Sequence, residues 1–160
     1  MSNFPAKILL ATDGSEDAAL AAKAAISLAE DTGAELHVVH VGEIHHVLQP
    51  RGMGPALPTE TDEEVKKEHQ GLLSHEVEQI EGEGGKVAEA HLRVGKPAEE
   101  ILHVSEEIVA GLIVVGTQGH GGRLSRMKRF LMGSVSEQVT RYARCSVLVA
   151  RRDLYEHPLS

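Results

Sequence analysis

Short apolar runs alternate along the chain with segments in which apolar residues recur at helical spacing. Five runs have the length and composition of β-strands, at residues 7–12, 35–41, 86–94, 111–116 and 146–150. The periodic segments between them predict helices at residues 16–32, 60–81, 98–109, 123–132 and 134–143. The run GLIVVG at 111–116 is apolar throughout, which is typical of a strand covered on both faces.

This alternation predicts one α/β domain. Strand–helix–strand units with short connections favour parallel strands joined by right-handed crossovers. We therefore expect a three-layer sandwich, with a five-stranded, mainly parallel, open twisted sheet and helices on both faces. The domain is expected to span residues 1–153, with a C-terminal tail at 154–160 and a long surface loop at 42–58.

The composition disfavours several classes of function. A net charge of -8 and an aromatic content of 2% argue against nucleic-acid binding, which needs a basic surface and, for single strands, rings that stack on bases. The single cysteine, Cys145, excludes an intramolecular disulfide and suits a reducing compartment. No apolar stretch approaches the ~18 residues of a membrane span, and the N-terminal run is too short for a signal peptide. We expect a cytoplasmic protein with no nucleic-acid or membrane partner.

The glycine-rich stretch from Gly116 to Ser136 is the main candidate for a binding site. Glycines at 116, 119, 121 and 122 follow the buried strand and allow backbone N–H groups to approach a phosphate. The segment 133–136 (GSVS) then opens a helix whose N–H groups, dipole and serine hydroxyls favour an anion. The alternative is that these glycines only form tight turns. The chain contains no Walker A loop, and its first strand–helix turn reads DGSEDA instead of a G-x-G-x-x-G fingerprint.

Two other strand ends are expected to share a crevice with this stretch. They are the segment 12–15 (TDGS) and the pair Val41-Gly42. In open parallel sheets, ligands bind beyond the carboxyl ends of the strands, near the point where the strand order reverses. The sequence therefore predicts that all three segments line one site.

Five segments carry a family resemblance. They read ILLATDGSEDA (8–18), VGKPAEEI (94–101), LIVVGTQGHGG (112–122), GSVSEQV (133–139) and RCSVLVA (144–150). Together and in this order they resemble the universal stress protein (UspA-like) family over roughly residues 7–151. The resemblance implies an ATP-binding branch marked by the pattern G-2x-G-9x-G-[ST], in a fold that pairs into homodimers.

The chain departs from that pattern in the length of its loop. Gly116 and Gly119 match the first glycine pair and Gly133-Ser134 the last, but thirteen residues (120–132) separate the two pairs where the pattern has nine. Taking Gly119 and Gly122 as the first pair leaves ten residues, 123–132. The longer loop either adds one helical turn of ~3.6 residues and keeps both ends of the site, or reshapes the loop and weakens nucleotide binding.

The resemblance also implies which residues hold the nucleotide. Residues at the adenine and ribose end are expected from the end of the first strand, and the backbone of Val41 is expected against the base. The complete set of expected nucleotide-binding residues is Ala11, Thr12, Asp13, Val41, Gly116, Gly119, Gly122, Gly133, Ser134, Val135 and Ser136. The expected ligand is ATP, ADP or AMP, with any Mg²⁺ supplied together with the nucleotide. Asp13 has an alternative role as a cap of the first helix.

Other reactive residues have simpler interpretations. The basic cluster at 123–129 either contacts phosphates or an acidic partner, or forms a solvated helix face. His37 and His40 lie three apart on a strand and so point to opposite faces, which argues against a dedicated metal site. Arg144 beside Cys145 would lower the thiol pKa modestly, but a structural cysteine is the default interpretation. No catalytic residue or metal ligand is predicted.

Three functions follow from these features. The first is an ATP-binding regulatory protein of the universal stress type, a homodimer formed through the last strand at 146–150, with at most slow hydrolysis. The second is a nucleotide-free dimeric interaction module, in which the longer loop has disabled the site. The third is a slow nucleotide hydrolase, which rests on fold analogy alone.

Overall fold

The computed structural model describes residues 3–44, 46–117 and 133–151. Its main strands are β1 (Lys7–Thr12), β2 (Glu35–Gly42), β5 (Val87–Val94), β6 (Leu112–Gly116) and β7 (Ser146–Ala150), and two short strands are β3 (His46–Val47) and β4 (Leu57–Pro58). The helices are α1 (Glu16–Thr32), α2 (Asp62–Gly82), α3 (Pro97–Glu107) and α4 (Ser134–Tyr142). None of the helices in the described ranges is both long and apolar enough to cross a membrane.

The main sheet has the strand order β5-β2-β1-β6-β7, and every pairing in it is parallel. The chain first moves from β1 outward to β2 and β5, then crosses back to β6 and β7 on the other side of β1. The strand order therefore reverses between β1 and β6. Helices cover both faces of the sheet, so the predicted three-layer α/β sandwich is confirmed.

Two apolar clusters fill the spaces between sheet and helices. On one face, alternate residues of β1, β2 and β6 pack with α1 and α2, as Leu10 and Val38 do. On the other face, the intervening residues, such as Leu9 and Val39, pack with α3 and α4. Because successive strand residues point to opposite faces, each central strand contributes to both clusters. The continuous apolar run of β6 is buried from Leu112 to Val115, as predicted.

The helix boundaries follow from local signals. The Ser15 side chain accepts a hydrogen bond from the Ala18 N–H at the start of α1, and Gly33 ends that helix with a positive φ of 75°. Thr61 and Glu64 form a reciprocal capping box at the start of α2. With these caps, α1 and α2 begin and end within two residues of their predicted positions.

The region predicted as a long loop contains a short antiparallel ribbon. His46 pairs with Pro58, and Val47 pairs with Leu57, so that β3 and β4 form a separate two-stranded sheet. Strands of two residues give no periodic sequence signal, which is why this element was not predicted. The predicted helix at 123–132 and the tail at 154–160 lie outside the described residues.

Candidate functional site

The carboxyl ends of β1 and β6 meet at the point where the strand order reverses. A hydrogen bond from the Thr117 hydroxyl to Asp17 Oδ2, 3.0 Å long, ties the residue after β6 to the first turn of α1. Asp17 is buried, with only 8% of its surface exposed. The two strand ends and the start of α1 therefore form one fixed edge of the sheet.

Gly116 is required at this edge by packing. A Cβ atom at this position would lie 2.7 Å from both the carbonyl carbon and the oxygen of Asp17, and 3.0 Å from the Asp17 Cβ. These distances are shorter than ordinary van der Waals contact, and two of them involve backbone atoms. Gly116 thus allows α1 to approach β6 closely. This packing role differs from the two roles considered from the sequence, which were phosphate binding and turn formation.

The start of α4 lies against the end of β6. The Gly133 N–H donates to the Thr117 carbonyl over 2.6 Å, and Glu137 N–H makes the first bond of the helix, to the Gly133 carbonyl at 2.9 Å. The N–H groups of residues 134–136 precede that first bond and have no acceptor within their own helix. Gly133, as N-cap, has no side chain that could cap them. This helix end is therefore suited to an anion.

The serine hydroxyls at this helix start differ in role. Ser136 is 2% exposed, and its hydroxyl lies 3.0 Å from the Gly133 carbonyl and 3.4 Å from the Thr117 carbonyl. The Ser136 hydroxyl therefore donates to the backbone, and its backbone N–H is the group that this residue offers a phosphate. Ser134 is exposed.

The predicted base and ribose residues occupy the same edge. Ala11 and Val41 are partly buried against the apolar cluster between the sheet and helices α3 and α4, and Val135 at the start of α4 packs against that cluster too. Asp13 is exposed, and its Oδ1 accepts a hydrogen bond from the Ser15 N–H at 2.9 Å. The cap of α1 is the Ser15 side chain, so capping does not account for Asp13.

The described members of the predicted set lie at the carboxyl ends of β1, β2 and β6 and at the start of α4. Thr12 ends β1 beside the end of β6, and the helix start at Gly133 is bonded to Thr117, the residue that follows β6. Gly119 and Gly122 lie outside the described residues, as do His120 and the basic cluster at 123–129.

The histidines of β2 point to opposite faces, as predicted. On the α2 face, His40 is buried, and its Nδ1 lies 2.9 Å from Oε2 of the buried Glu76, while its Nε2 lies 2.8 Å from His69 Nδ1. On the other face, His37 Nδ1 lies 3.4 Å from His91 Nε2. Burial is the main cause that lowers the pKa of His91, and it outweighs the opposing effect of the nearby Glu89 carboxylate.

Cys145 is a partly buried residue beside the same cluster as Val135. Burial raises the pKa of its thiol. The neighbouring Arg144 side chain is 85% exposed and forms an ion pair with Glu106 at 3.3 Å. The expectation that Arg144 lowers the thiol pKa is therefore wrong, because the guanidinium is directed to solvent and to a carboxylate.

Three features of the structure were not predicted from the sequence. They are the Asp17–Thr117 bond, the packing role of Gly116 and the pairing of His37 with His91. Each joins residues far apart in the chain, and only the strand order and register bring them together.

Comparison with known proteins gives a consistent result. Residues 6–151 match the universal stress protein family. The chain is 39% identical over 150 residues to the universal stress protein YxiE of Bacillus subtilis, covering 91% of this chain and 98% of that protein. The universal stress protein from Archaeoglobus fulgidus in complex with dAMP is 28% identical, with a TM-score of 0.62 and coverage of 91% and 97%. A universal stress protein in complex with cAMP, at 21% identity, shares the fold with a TM-score of 0.67 over 93% and 99%.

Proposed function

The chain belongs to the universal stress protein family, and from this premise we propose that it binds an adenine nucleotide, ATP or its ADP and AMP forms, as a dimeric regulatory protein of the stress response. The observation that carries the proposal is the start of α4 beside the end of β6, where the Gly133 N–H bonds the Thr117 carbonyl. This contact sets helix N–H groups that have no acceptor within their own helix at the reversal point of a parallel sheet, where such sheets bind ligands.

The phosphates are assigned to the α4 start. The N–H groups of Ser134, Val135 and Ser136 and the exposed Ser134 hydroxyl supply donors, and the positive end of the helix dipole adds favourable electrostatics. Helix α4 has Glu137 in its first turn, and this carboxylate is exposed and paired with Arg141 at 3.3 Å. That pairing reduces its repulsion of a bound anion.

The nucleoside is assigned to the ends of β1 and β2. Asp13 is exposed beyond β1, and its second carboxylate oxygen is suited to accept from ribose hydroxyls. Ala11 and Val41 border the apolar cluster on the α4 side of the sheet, which provides a surface for the base. Gly119 and Gly122 complete the proposed set, and any Mg²⁺ would arrive with the nucleotide.

The related protein from A. fulgidus, whose structure is a complex with dAMP, supports an adenine nucleotide as the ligand class. The first test is the nucleotide that purifies with the protein. The protein is denatured, and the supernatant is resolved by anion exchange. We expect an adenine nucleotide from the wild type and none from Gly133→Val, since a valine side chain at the N-cap would stand where a phosphate approaches the backbone.

The matched control is Gly71→Val. Gly71 lies in α2, and a Cβ there would have no atom within 4 Å. Gly133 has φ -64° and ψ 160°, an extended conformation that valine adopts readily, so both variants should fold. Equal amounts of nucleotide from both variants would place the phosphates elsewhere.

Dimerisation is proposed through β7, which is an edge strand of the main sheet. Its apolar residues from Val147 to Ala150 are only partly buried, and within the described residues no strand pairs with its outer side, which makes this edge suited to accept another strand. Sedimentation of the full chain should give twice the monomer mass of 17.2 kDa. A species of monomer mass at micromolar concentration would contradict this part of the proposal.

The second candidate is a nucleotide-free interaction module with the same dimer. It is favoured by one observation, the thirteen residues between Gly119 and Gly133 where the family pattern has nine. A dimer that neither purifies with nucleotide nor binds added ATP would identify this second function.

A further inference from the structure

The face of the sheet that packs with α3 and α4 carries a cluster of metal-ligating side chains near the amino end of β2, away from the proposed nucleotide site. The cluster consists of His37, Glu89 and His91, whose ligand atoms all lie within 4.8 Å of one another. His37 is five residues before the end of β2, which is about 16 Å along a strand. The cluster is therefore separate from the carboxyl edge of the sheet.

A register shift between β2 and β5 creates this cluster. Leu36 pairs with Val87, but His37 pairs with Glu89, so that Ala88 is an additional residue in β5. Val87 packs on the α1 and α2 side. The additional residue turns the side chains that follow, and Glu89 and His91 come to share the face of His37.

The distances within the cluster suit one small cation. His37 Nδ1 and His91 Nε2 are 3.4 Å apart, and His91 Nε2 and Glu89 Oε2 are 3.9 Å apart. Ligands bound at 2.0–2.1 Å in a tetrahedron are separated by roughly 3.3 Å, so the two imidazoles are already at the required spacing. The Glu89 side chain is 63% exposed, and its carboxylate, within 4.8 Å of both imidazoles, needs to move by less than about 2 Å.

A fourth residue holds the first imidazole in place. Glu35 Oε2 lies 3.2 Å from His37 Nε2, which makes that nitrogen the protonated one and leaves the Nδ1 lone pair directed at His91. Carboxylates that orient a ligating histidine in this way are the usual outer partners of zinc sites. Both imidazoles are sheltered, with side-chain exposures of 6% and 10%, while Glu35 and Glu89 reach solvent and provide a path of entry.

The surrounding charge also favours a cation. Glu35 and Glu89 contribute two negative charges next to the imidazoles. Arg93, a positive group near His91, forms an ion pair with Glu107, which offsets its charge.

From this geometry we propose that His37, Glu89 and His91 bind a divalent transition-metal ion, with water as the fourth ligand. The chemistry of these ligands favours Zn²⁺. Two nitrogens and one carboxylate oxygen select first-row ions such as Zn²⁺ and Co²⁺ over Mg²⁺ and Ca²⁺, which prefer oxygen alone. The ion would join β2 to the edge strand β5 and stabilise that side of the sheet. The prediction from the sequence, which considered His37 with His40, did not include this arrangement.

The histidine group on the opposite face is not a comparable site. His40 uses Nδ1 for Glu76 and Nε2 for His69, so its two partners lie on opposite sides of the ring. One ion cannot replace both contacts. His69→Gln is therefore a control for nonspecific loss of a histidine, and His103→Gln is a second, since the His103 side chain is 64% exposed.

The test is a titration of the tag-free, chelator-treated full chain, without nucleotide, with Co²⁺ by visible absorption and with Zn²⁺ in competition with a chromophoric chelator. We expect one equivalent of Co²⁺ to give the intense visible bands of a tetrahedral ion, and Zn²⁺ to displace it. Glu89→Gln, His37→Gln and His91→Gln should abolish these bands. Glu35→Gln should weaken binding by about 10–100-fold, as expected for an outer partner.

His69→Gln and His103→Gln should titrate as the wild type does. Glu89→Gln alters an exposed side chain and should fold. If the buried histidine variants do not fold, Glu89→Gln alone tests the proposed site. The absence of a saturable 1:1 complex in the wild type would overturn the proposal, and so would unchanged binding by Glu89→Gln and His91→Gln. Because nucleotide is absent from this titration, its result is independent of the proposed ATP site.

Discussion

Replacing Gly116 by alanine tests whether this glycine serves packing between α1 and β6. The added Cβ would lie 2.7 Å from backbone atoms of Asp17, whereas ordinary contact begins at 3.4 Å, so the first turn of α1 must move by roughly 0.7 Å. The Ser15 cap and the Asp17–Thr117 bond oppose that movement. Overpacking of this kind costs typically about 1–3 kcal/mol in the free energy of unfolding.

The assay is thermal and urea unfolding followed by circular dichroism. A loss of this size lowers the Tm of a domain of this length by roughly 2–12 °C. Gly71→Ala is the matched control, because its Cβ meets no atom within 4 Å and an alanine in a helix is favoured over glycine by roughly 0.5–1 kcal/mol. A Gly116→Ala protein as stable as the wild type would refute the packing role, and Gly116 would then be explained better by contact with a ligand.

Further predictions concern buried polar groups. His40→Leu should destabilise the fold by at least about 1–3 kcal/mol in urea unfolding, because Glu76 stays buried without its partner, and the double change His40→Leu with Glu76→Leu should cost less than the sum of the single changes. Since burial lowers the pKa of His91 below its unfolded value of about 6.5, the unfolded state binds more protons, and stability should be lost as the pH falls below that value. His91→Gln should reduce this slope, and an unchanged slope would contradict the assignment. The Cys145 thiol, whose pKa is raised by burial, should react with iodoacetamide at pH 7.5 more slowly than an unfolded control, and an equal rate would contradict it.

Much of the fold could be predicted from the sequence because its signals are local. The apolar run of β6 and the positive-φ Gly33 at the end of α1 each identify an element without reference to the rest of the chain. The alternation of strands and helices then restricts the topology to a parallel sheet with right-handed crossovers. The ribbon of β3 and β4 was not predicted, since two-residue strands have no period.

The candidate site was predictable only in part. The strand ends and the α4 start follow from glycine and serine positions, but the bond between Asp17 and Thr117 joins residues one hundred positions apart. The cluster of His37 and His91 depends on the single additional residue Ala88 in β5, which reverses the faces of the side chains after it. No spacing of histidines along one strand contains that information.

The most direct test of the central claim is a calorimetric titration of the nucleotide-stripped protein with ATP. We expect saturable heat at one ATP per chain for the wild type and for Gly71→Val, and loss of this heat in Gly133→Val at unchanged stability. No binding heat from the wild type up to millimolar ATP would contradict the claim that the edge between β1 and β6 is a nucleotide site.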